Sequence, residues 1–474
     1  MTATTLGPTT SERVAAAGPD VARRRVALGL LASAQFVVML DTSIVNVALP
    51  SIQADLGLGA TGLTWVVNAY ILAFGGLLLL FGRVADLLGR RRMFVGGSTL
   101  FTLGTLLAAC ATSQEILIAG RIIQGAGAAA LSPAAMSLLL LSFPGQTRAR
   151  AMSVWGAAST LGGATGVLAG GVLSGYLGWS SVFLVTVPFS VAAVVLARSV
   201  LDEGARGARR RLDGRGAVTI TGAVIALAHG ALGAGDGNLA SPRVVASFAV
   251  SAALFALFVR AERRTTDPLV PLQLFRSRTL STGVTLAVLG GAARASTFVL
   301  VALFLQQALA MAPEQAGLAM VPTSLTGFAV SLVLLPRILR AIGPQRSLVV
   351  GSVVLAAGHL WLAHAPFGGG YLVAVLPALF LVAIGVALSF TPTTMVIASA
   401  IPDSHTGLAS GLAASATQVG AALGTAAFTA VGVSVAGSGV EELASNGFSA
   451  AFTAAAVVAL TTALLGATIA RGRQ

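Results

Sequence analysis

The sequence predicts an all-α integral membrane protein: fourteen transmembrane helices, built as two pseudo-symmetric six-helix bundles plus a two-helix insert. Three observations carry that prediction. Hydrophobic residues fill 56% of 474 positions, charged residues only 9%, and mean hydropathy is +0.89, a balance no water-soluble domain of this length shows. Apolar runs long enough to cross ~30 Å of hydrocarbon recur between charged or Pro/Gly-rich breaks. The basic residues then sort onto one side of the alternating loops.

The first six runs lie at about 26–50, 61–81, 94–112, 115–141, 150–174 and 180–199. Two more follow at 216–234 and 243–260, and the last six at 280–310, 314–335, 346–364, 371–398, 405–434 and 448–470. All 29 basic residues are Arg. Counting from an inner N-terminus, 26 fall in the tails and inner segments, one (Arg243) in an outer loop, and two (Arg121, Arg294) inside spans. Positively charged loops stay on the cytoplasmic side, so both termini are expected there, in a multi-pass plasma-membrane protein of bacterial type. The polar segment before Val26 is too long and acid-dotted for a signal peptide, so the first span is read as uncleaved.

An internal repeat divides the chain. GRVADLLGRRR at 82–92 follows the second span and PRILRAIGPQR at 336–346 follows the tenth, with Arg83, Gly89 and Arg92 matching Arg337, Gly343 and Arg346 at an offset of 254. The expected domains are a cytoplasmic tail (1–25), a first bundle (26–200), a basic linker with two inserted helices (201–279) and a second bundle (280–474). Related halves are the build of many secondary transporters, with the site at their interface near the midplane.

Several function classes fall away. The net charge of +13 belongs to the orienting arginines, which leaves no call for a nucleic-acid partner. A single cysteine, Cys110, allows neither an internal disulfide nor a cysteine metal site. The four His (His229, His359, His364, His405) lack metal-ligand spacing, so neither a metal nor an enzyme is expected. No Gly-rich phosphate loop with its Lys exists, and no ring of like charges suggests a channel filter. No cofactor is called for; the energy source expected is the proton gradient.

What remains are charges inside spans. Of sixteen acids, fifteen fall in loops, tails or helix ends; Asp41 alone sits in the hydrocarbon region. A carboxylate there costs several kcal/mol, which marks it as functional unless it merely braces the fold. Asp41 lies 16 residues past Arg25, ~24 Å along the helix, and Arg121 enters the fourth span from the other face to comparable depth, so the two are expected to pair. Arg294 lies one residue from the repeat counterpart of Asp41 and is expected to face the central cavity from the second half; a snorkelling Arg is the alternative. Asn46, Gln124, Gln306, Gln307 and Gln418 are candidate hydrogen-bonding residues of a substrate cavity, or plain helix–helix contacts.

The motifs around these charges resemble the fourteen-helix drug:proton antiporter branch of the major facilitator superfamily, whose members include multidrug and antibiotic exporters. LDTSIVNVALP at 40–50 resembles its helix 1 signature, GRVADLLGRRR its loop 2–3 motif, RIIQGAG at 121–127 its helix 4 motif and GGATGVLAGG at 162–171 its helix 5 motif. Two departures stand out: Val167 replaces the usual Pro, and Trp179 is followed by Ser180 and Ser181 instead of Arg and Trp. The resemblance implies that Asp41, beside Arg121, carries the proton, and that Gly82, Arg83, Asp86, Gly89, Arg90 and Arg91 form a conformational latch. Asp86 would sit at the N-terminus of the thirteenth helix, near His405, where exposed N–H groups favour an anion; a static topology anchor is the alternative. Gly162, Gly166 and Gly170, continued by Gly171 and Gly175, read as a helix-packing stripe.

The expected activity is export of monocationic, neutral or zwitterionic amphiphiles in exchange for protons, by a functional monomer in the lipid bilayer; Arg294 even admits anions. Burial disfavours the ionised form and lets a carboxylate load a proton near neutral pH. Dedicated export of one endogenous metabolite, or less readily symport, are the alternatives.

Overall fold

A computed structural model of the chain describes residues 10–202, 213–235, 241–366, 370–435 and 440–471. Most of the basic linker, 203–212, and the start of the tail, 1–9, lie outside the described residues. The described residues are helical almost throughout, with no strand among them. The helices are α1 (Thr10–Leu56), α2 (Ala60–Leu88), α3 (Arg90–Ala109), α4 (Gln114–Ser142), α5 (Gln146–Leu177), α6 (Ser180–Val200) and α7 (Gly214–Gly235). They continue as α8 (Pro242–Glu262), α9 (Arg278–Gln307), α10 (313–342), α11 (344–363), α12 (Tyr371–Ser399), α13 (Thr406–Val435) and α14 (Val440–Arg471).

The tenth and eleventh runs form one nearly continuous stretch, Gln315–Ala363, yet they are two spans. Gly343 breaks it with φ 76°, ψ 171°, a conformation an L side chain resists, and Pro344 follows. Its repeat counterpart Gly89, at φ 103°, turns the chain between α2 and α3. The same glycine therefore makes the same turn in both halves, and the fourteen predicted spans are all present. Polar caps fix several starts: Ser113 accepts from the Ile116 amide at the head of α4, and Ser241 from the Val244 amide at the head of α8.

Inside a bilayer, helices gain little from hiding apolar surface, so close association depends on small residues that let backbones touch. The pairing α3–α4 shows this: a Cβ on Gly97, Gly104 or Gly127 would lie within 2.6 Å of the backbone nitrogen of Leu131, Gln124 or Phe101. In α11–α12 the same contacts recur at Gly351, Gly358 and Gly385, against the backbone nitrogens of Ser389, Val382 and Leu355. The offset is 254 residues from α3 to α11 and 258 from α4 to α12. The scaffold is thus repeated contact for contact, although the sequence outside the glycines is not.

The hairpin of α7 and α8 packs across the seam between the halves. Gly76 of α2 approaches Ile225 of α7, while Ala231, Ala234 and Val244 share a core with Ala426 of α13. Trp179, in place of the usual Trp-Arg-Trp, donates its indole N–H to Asp55 at 2.7 Å, tying the α5–α6 turn to the end of α1.

Candidate functional site

Asp41 is wholly buried, midway along α1. Its Oδ2 accepts from Arg121 Nη1 at 2.8 Å, and its Oδ1 from Gln124 Nε2 at 2.7 Å. Arg121 and Gln124 stand one turn apart on α4 and also bond to each other at 2.7 Å. Arg121 Nε donates to the Val66 carbonyl at 3.1 Å, and its guanidinium lies 4.3 Å from the centre of the Tyr70 ring. Gln124 makes a second donation, to Thr105 Oγ1 at 2.9 Å. Four helices, α1 to α4, thus meet at one ion pair whose hydrogen bonds are satisfied on each side, the arrangement that makes a buried pair tolerable.

The expected Asp41–Arg121 pair is in place. Gln124, read as a substrate-cavity residue or a plain helix–helix contact, belongs to this network between helices and is fully buried. Tyr70 and Thr105 complete it and went unnoticed in the sequence. An aromatic or hydroxyl residue in an apolar run gives no signal of its own, although Tyr70 is one of only three tyrosines.

The glycines of α5 hold α1 in position beside this pair. A Cβ on Gly162 would strike the Phe36 carbonyl, on Gly166 the Ser43 Cβ, and on Gly170 the Ile44 carbonyl, so the three clasp the turns flanking Asp41. Gly171 and Gly175 do not continue the stripe; nothing lies within 4 Å of either. At 100° per residue, positions nine and thirteen residues beyond Gly162 fall on roughly the opposite side of the helix. The other face of α5 meets the second half: Gly156 approaches Thr391, Gly327 approaches Thr160, and Gly317 approaches Val167.

At the arginine-rich end, Asp86 caps α13. Its two oxygens accept from the Gly407 and Leu408 amides at 2.9 and 2.8 Å, and Arg90 donates to Oδ1 at 2.9 Å. Arg90 also reaches the carbonyls of Asp403 and Ser404. Gly82 and Gly407 touch so closely that a Cβ on either would meet the other's carbonyl oxygen. Ser137 and Thr406 share a hydrogen bond of 2.7 Å beside them. Arg91 donates to the Leu201 carbonyl, outside this contact.

Arg83 donates to the Pro268 carbonyl in the segment between α8 and α9. There Glu262, 5% exposed, accepts from the Leu269 and Val270 amides at 3.2 and 2.9 Å. The sequence reading passed over Glu262 as a helix-end acid. Its position at the last turn of α8, seven residues before an apolar Leu-Val pair, was the available hint.

In the second half Arg294 is 5% exposed. Its Nη1 lies 3.5 Å from Ser389 Oγ, and its guanidinium 5.6 Å from the centre of the Phe390 ring. One turn on, Thr297 Oγ1 and His359 Nε2 are 2.5 Å apart. The other cavity candidates do not gather into one cluster. Asn46 is exposed and donates to the Thr42 carbonyl, Gln306 and Gln307 are exposed at the end of α9, and Gln418 faces Gly75 of α2.

Comparison with known proteins adds relatives to this geometry. The sequence profile of the Major Facilitator Superfamily matches residues 31–425. The cephamycin export protein CmcT of Amycolatopsis lactamdurans is 38% identical, over 93% of this chain and 91% of its own length. The puromycin resistance protein pur8 of Streptomyces alboniger is 35% identical, over 93% and 88%. The multidrug resistance protein Stp of Mycobacterium tuberculosis is 33% identical, over 82% and 72%. Among solved structures, the human organic anion transporter MFSD10 (TETRAN) has the same fold, with a TM-score of 0.67 at 16% identity, covering 94% of this chain and 99% of that one.

Proposed function

Because the chain belongs to the Major Facilitator Superfamily, a family of transporters and not of enzymes, we propose that it is a proton-coupled antiporter exporting amphiphilic drugs or antibiotics by alternating access. The observation that carries the reading is the sealed Asp41–Arg121–Gln124 network: the single mid-span carboxylate of the chain, held by four helices. Its full-length relatives named for antibiotic export and resistance favour a drug-like cargo.

The arginine-rich face is assigned to the cytoplasm by the positive-inside rule. The contacts of Asp86, Gly82 and Ser137 with α13 then close the cytoplasmic side. A proton entering from outside neutralises Asp41 and removes the charge that holds Arg121 Nη1 and Gln124 Nε2. The loosened network shifts α1, and α5 transmits the shift, since one of its faces clasps α1 around Asp41 and the other meets the second half. Opening inward requires Asp86 to leave the head of α13. Cargo binding on that side favours release of the proton to the cytoplasm, and the return step carries the cargo out. Arg83, Arg90 and Gly89 hold the end of α2 that carries Asp86, and the protein works as a monomer.

Proton-driven dye efflux in inverted vesicles tests this. Wild type is expected to move an amphiphilic dye against its gradient and to dissipate ΔpH, and Asp41→Asn to abolish both. Normal transport by Asp41→Asn would place the proton site elsewhere. The relative named for cephamycin alone favours a second reading, dedicated export of one compound; failure of wild type across a broad dye panel would select it.

A further inference from the structure

Among the described residues the second half contains a buried cation with no counter-charge, next to the place where the first half puts its acid. Arg294 occupies the position neighbouring the counterpart of Asp41. At the register set by the repeated glycine contacts, the counterparts of Arg121 and Gln124 are Leu379 and Val382. No acid exists in the middle of any second-half helix; the four acids after residue 280 (Glu314, Asp403, Glu441, Glu442) lie before or at helix starts.

The side chain is nonetheless built in. It folds back along α9 over Gly290, where a Cβ would lie 2.5 Å from Nη1, so the missing side chain makes room for the guanidinium. Ser389 commits its hydroxyl proton to the Gly385 carbonyl at 2.7 Å, which leaves its lone pairs toward Arg294. Among the described residues Arg294 Nη2 has no hydrogen-bond partner, and neither has Nδ1 of His359, whose other ring nitrogen meets Thr297 one turn along α9 from Arg294. A guanidinium buried without an anion is costly, more so than one long contact to a serine and the Phe390 ring offset. Membrane-embedded charges with no protein partner mark the path of a charged ligand.

We propose that Arg294 is the binding site for a carboxylate on the exported compound, with Ser389 and the Thr297–His359 pair shaping the pocket, so that the preferred cargo is an amphiphile bearing an acidic group. The proposal rests on the export reading for what enters the protein. A lipid headgroup does not reach the site: Arg294 is 16 residues from Arg278 and 13 from Gln307, ~24 and ~20 Å along the helix from its two ends. A planar guanidinium takes a carboxylate through two parallel hydrogen bonds, which a Lys ammonium does not reproduce.

The test is equilibrium binding to the purified full-length protein, without a proton gradient, of two dyes that differ only at a carboxyl: rhodamine 110, the free acid, and rhodamine 123, its methyl ester. Wild type should bind the acid about tenfold more tightly than the ester or better, the range of a charge-assisted pair. Arg294→Gln should erase that preference while leaving ester affinity unchanged, and Arg294→Lys should keep part of it. Equal binding of both dyes by wild type overturns the proposal, as does a preference that survives Arg294→Gln. If Arg294→Gln also loses the ester, and so has failed to fold, Arg294→Lys decides: undiminished acid affinity refutes the site. Displacement of the acid by submillimolar chloride would mean a small inorganic anion site, also against the proposal. Asp41→Asn should leave the preference intact, so normal vesicle transport by Asp41→Asn with an intact preference refutes proton coupling through Asp41 and not the carboxylate site.

Discussion

In the first bundle, the glycine contacts of α3 with α4 and of α5 with α1 bring a carboxylate on α1 to a guanidinium and an amide on α4, so that each satisfies the others. In the second bundle the same contacts hold α11 against α12, but Leu379 and Val382 stand where the arginine and the amide would be, and a single guanidinium on α9 lies beside a serine of α12, next to the place of the acid. Helix geometry was kept through the repeat and the chemistry was divided. One half is electrically closed on itself and the other is electrically incomplete; in the proposed cycle a proton opens the first and the cargo completes the second.

The sharpest way to break this comparison is to remove the cation from each half. Arg121→Met strands Asp41 as an uncompensated buried charge, so the folded protein in detergent should lose about 3–5 kcal/mol, read as a large fall in Tm. Arg294→Met, of similar shape change, removes a charge that had no anion to lose, only a long contact to Ser389 and the Phe390 ring, and should leave Tm unchanged or raised. Equal destabilisation by both would mean that Arg294 has a structural partner and that the contrast between the halves is false.

Next comes the glycine scaffold, where the halves should behave alike. Gly127→Ala and Gly385→Ala each place a methyl within 2.5 Å of a neighbouring backbone nitrogen, and each should cost about 1–3 kcal/mol through forced helix separation. A large difference between the two in matched unfolding experiments would show that the repeat is a likeness of backbone only. Gly407→Ala acts on the seam instead: its Cβ would meet the Gly82 carbonyl and Asp86 Oδ1, so it should expose the cytoplasmic side of α13 to thiol labelling at an introduced cysteine.

Much of this was legible in the sequence, and the limits have physical causes. Depth along a helix is a sum of rises, so arginine-marked ends located Asp41 and Arg121 at one level. Rotation about the axis is harder, because it needs a reference face. Gly171 and Gly175 were joined to a stripe from which they point away, and Gln124 was assigned to a cavity although its place three residues after Arg121 put it on the arginine's own face. Val167, noted only for replacing the usual Pro, faces Gly317 of the other half, a contact between residues 150 positions apart that no local pattern encodes. Glu262 was invisible because its partners are backbone amides of Leu269 and Val270, whose side chains say nothing about what their N–H groups do.

The last turns of α2 and α10 give the last and smallest test. The same glycine turn follows each, but where the first has Asp86, the second has Arg340, which is exposed and, among the described residues, donates to the Pro336 carbonyl one turn before it. A carboxylate can seat on free amides at a helix start; an arginine cannot, so the end of α10 has no such means of gripping the opposite bundle. Asp86→Ala should slow transport strongly, through loss of two charge-assisted bonds to the α13 amides. Arg340→Ala should leave the transport rate unchanged and Tm within its error, as surface substitutions away from special contacts do. A strong transport defect in Arg340→Ala would reveal a second latch in another conformation, and the division of labour between the halves would then hold at the midplane alone.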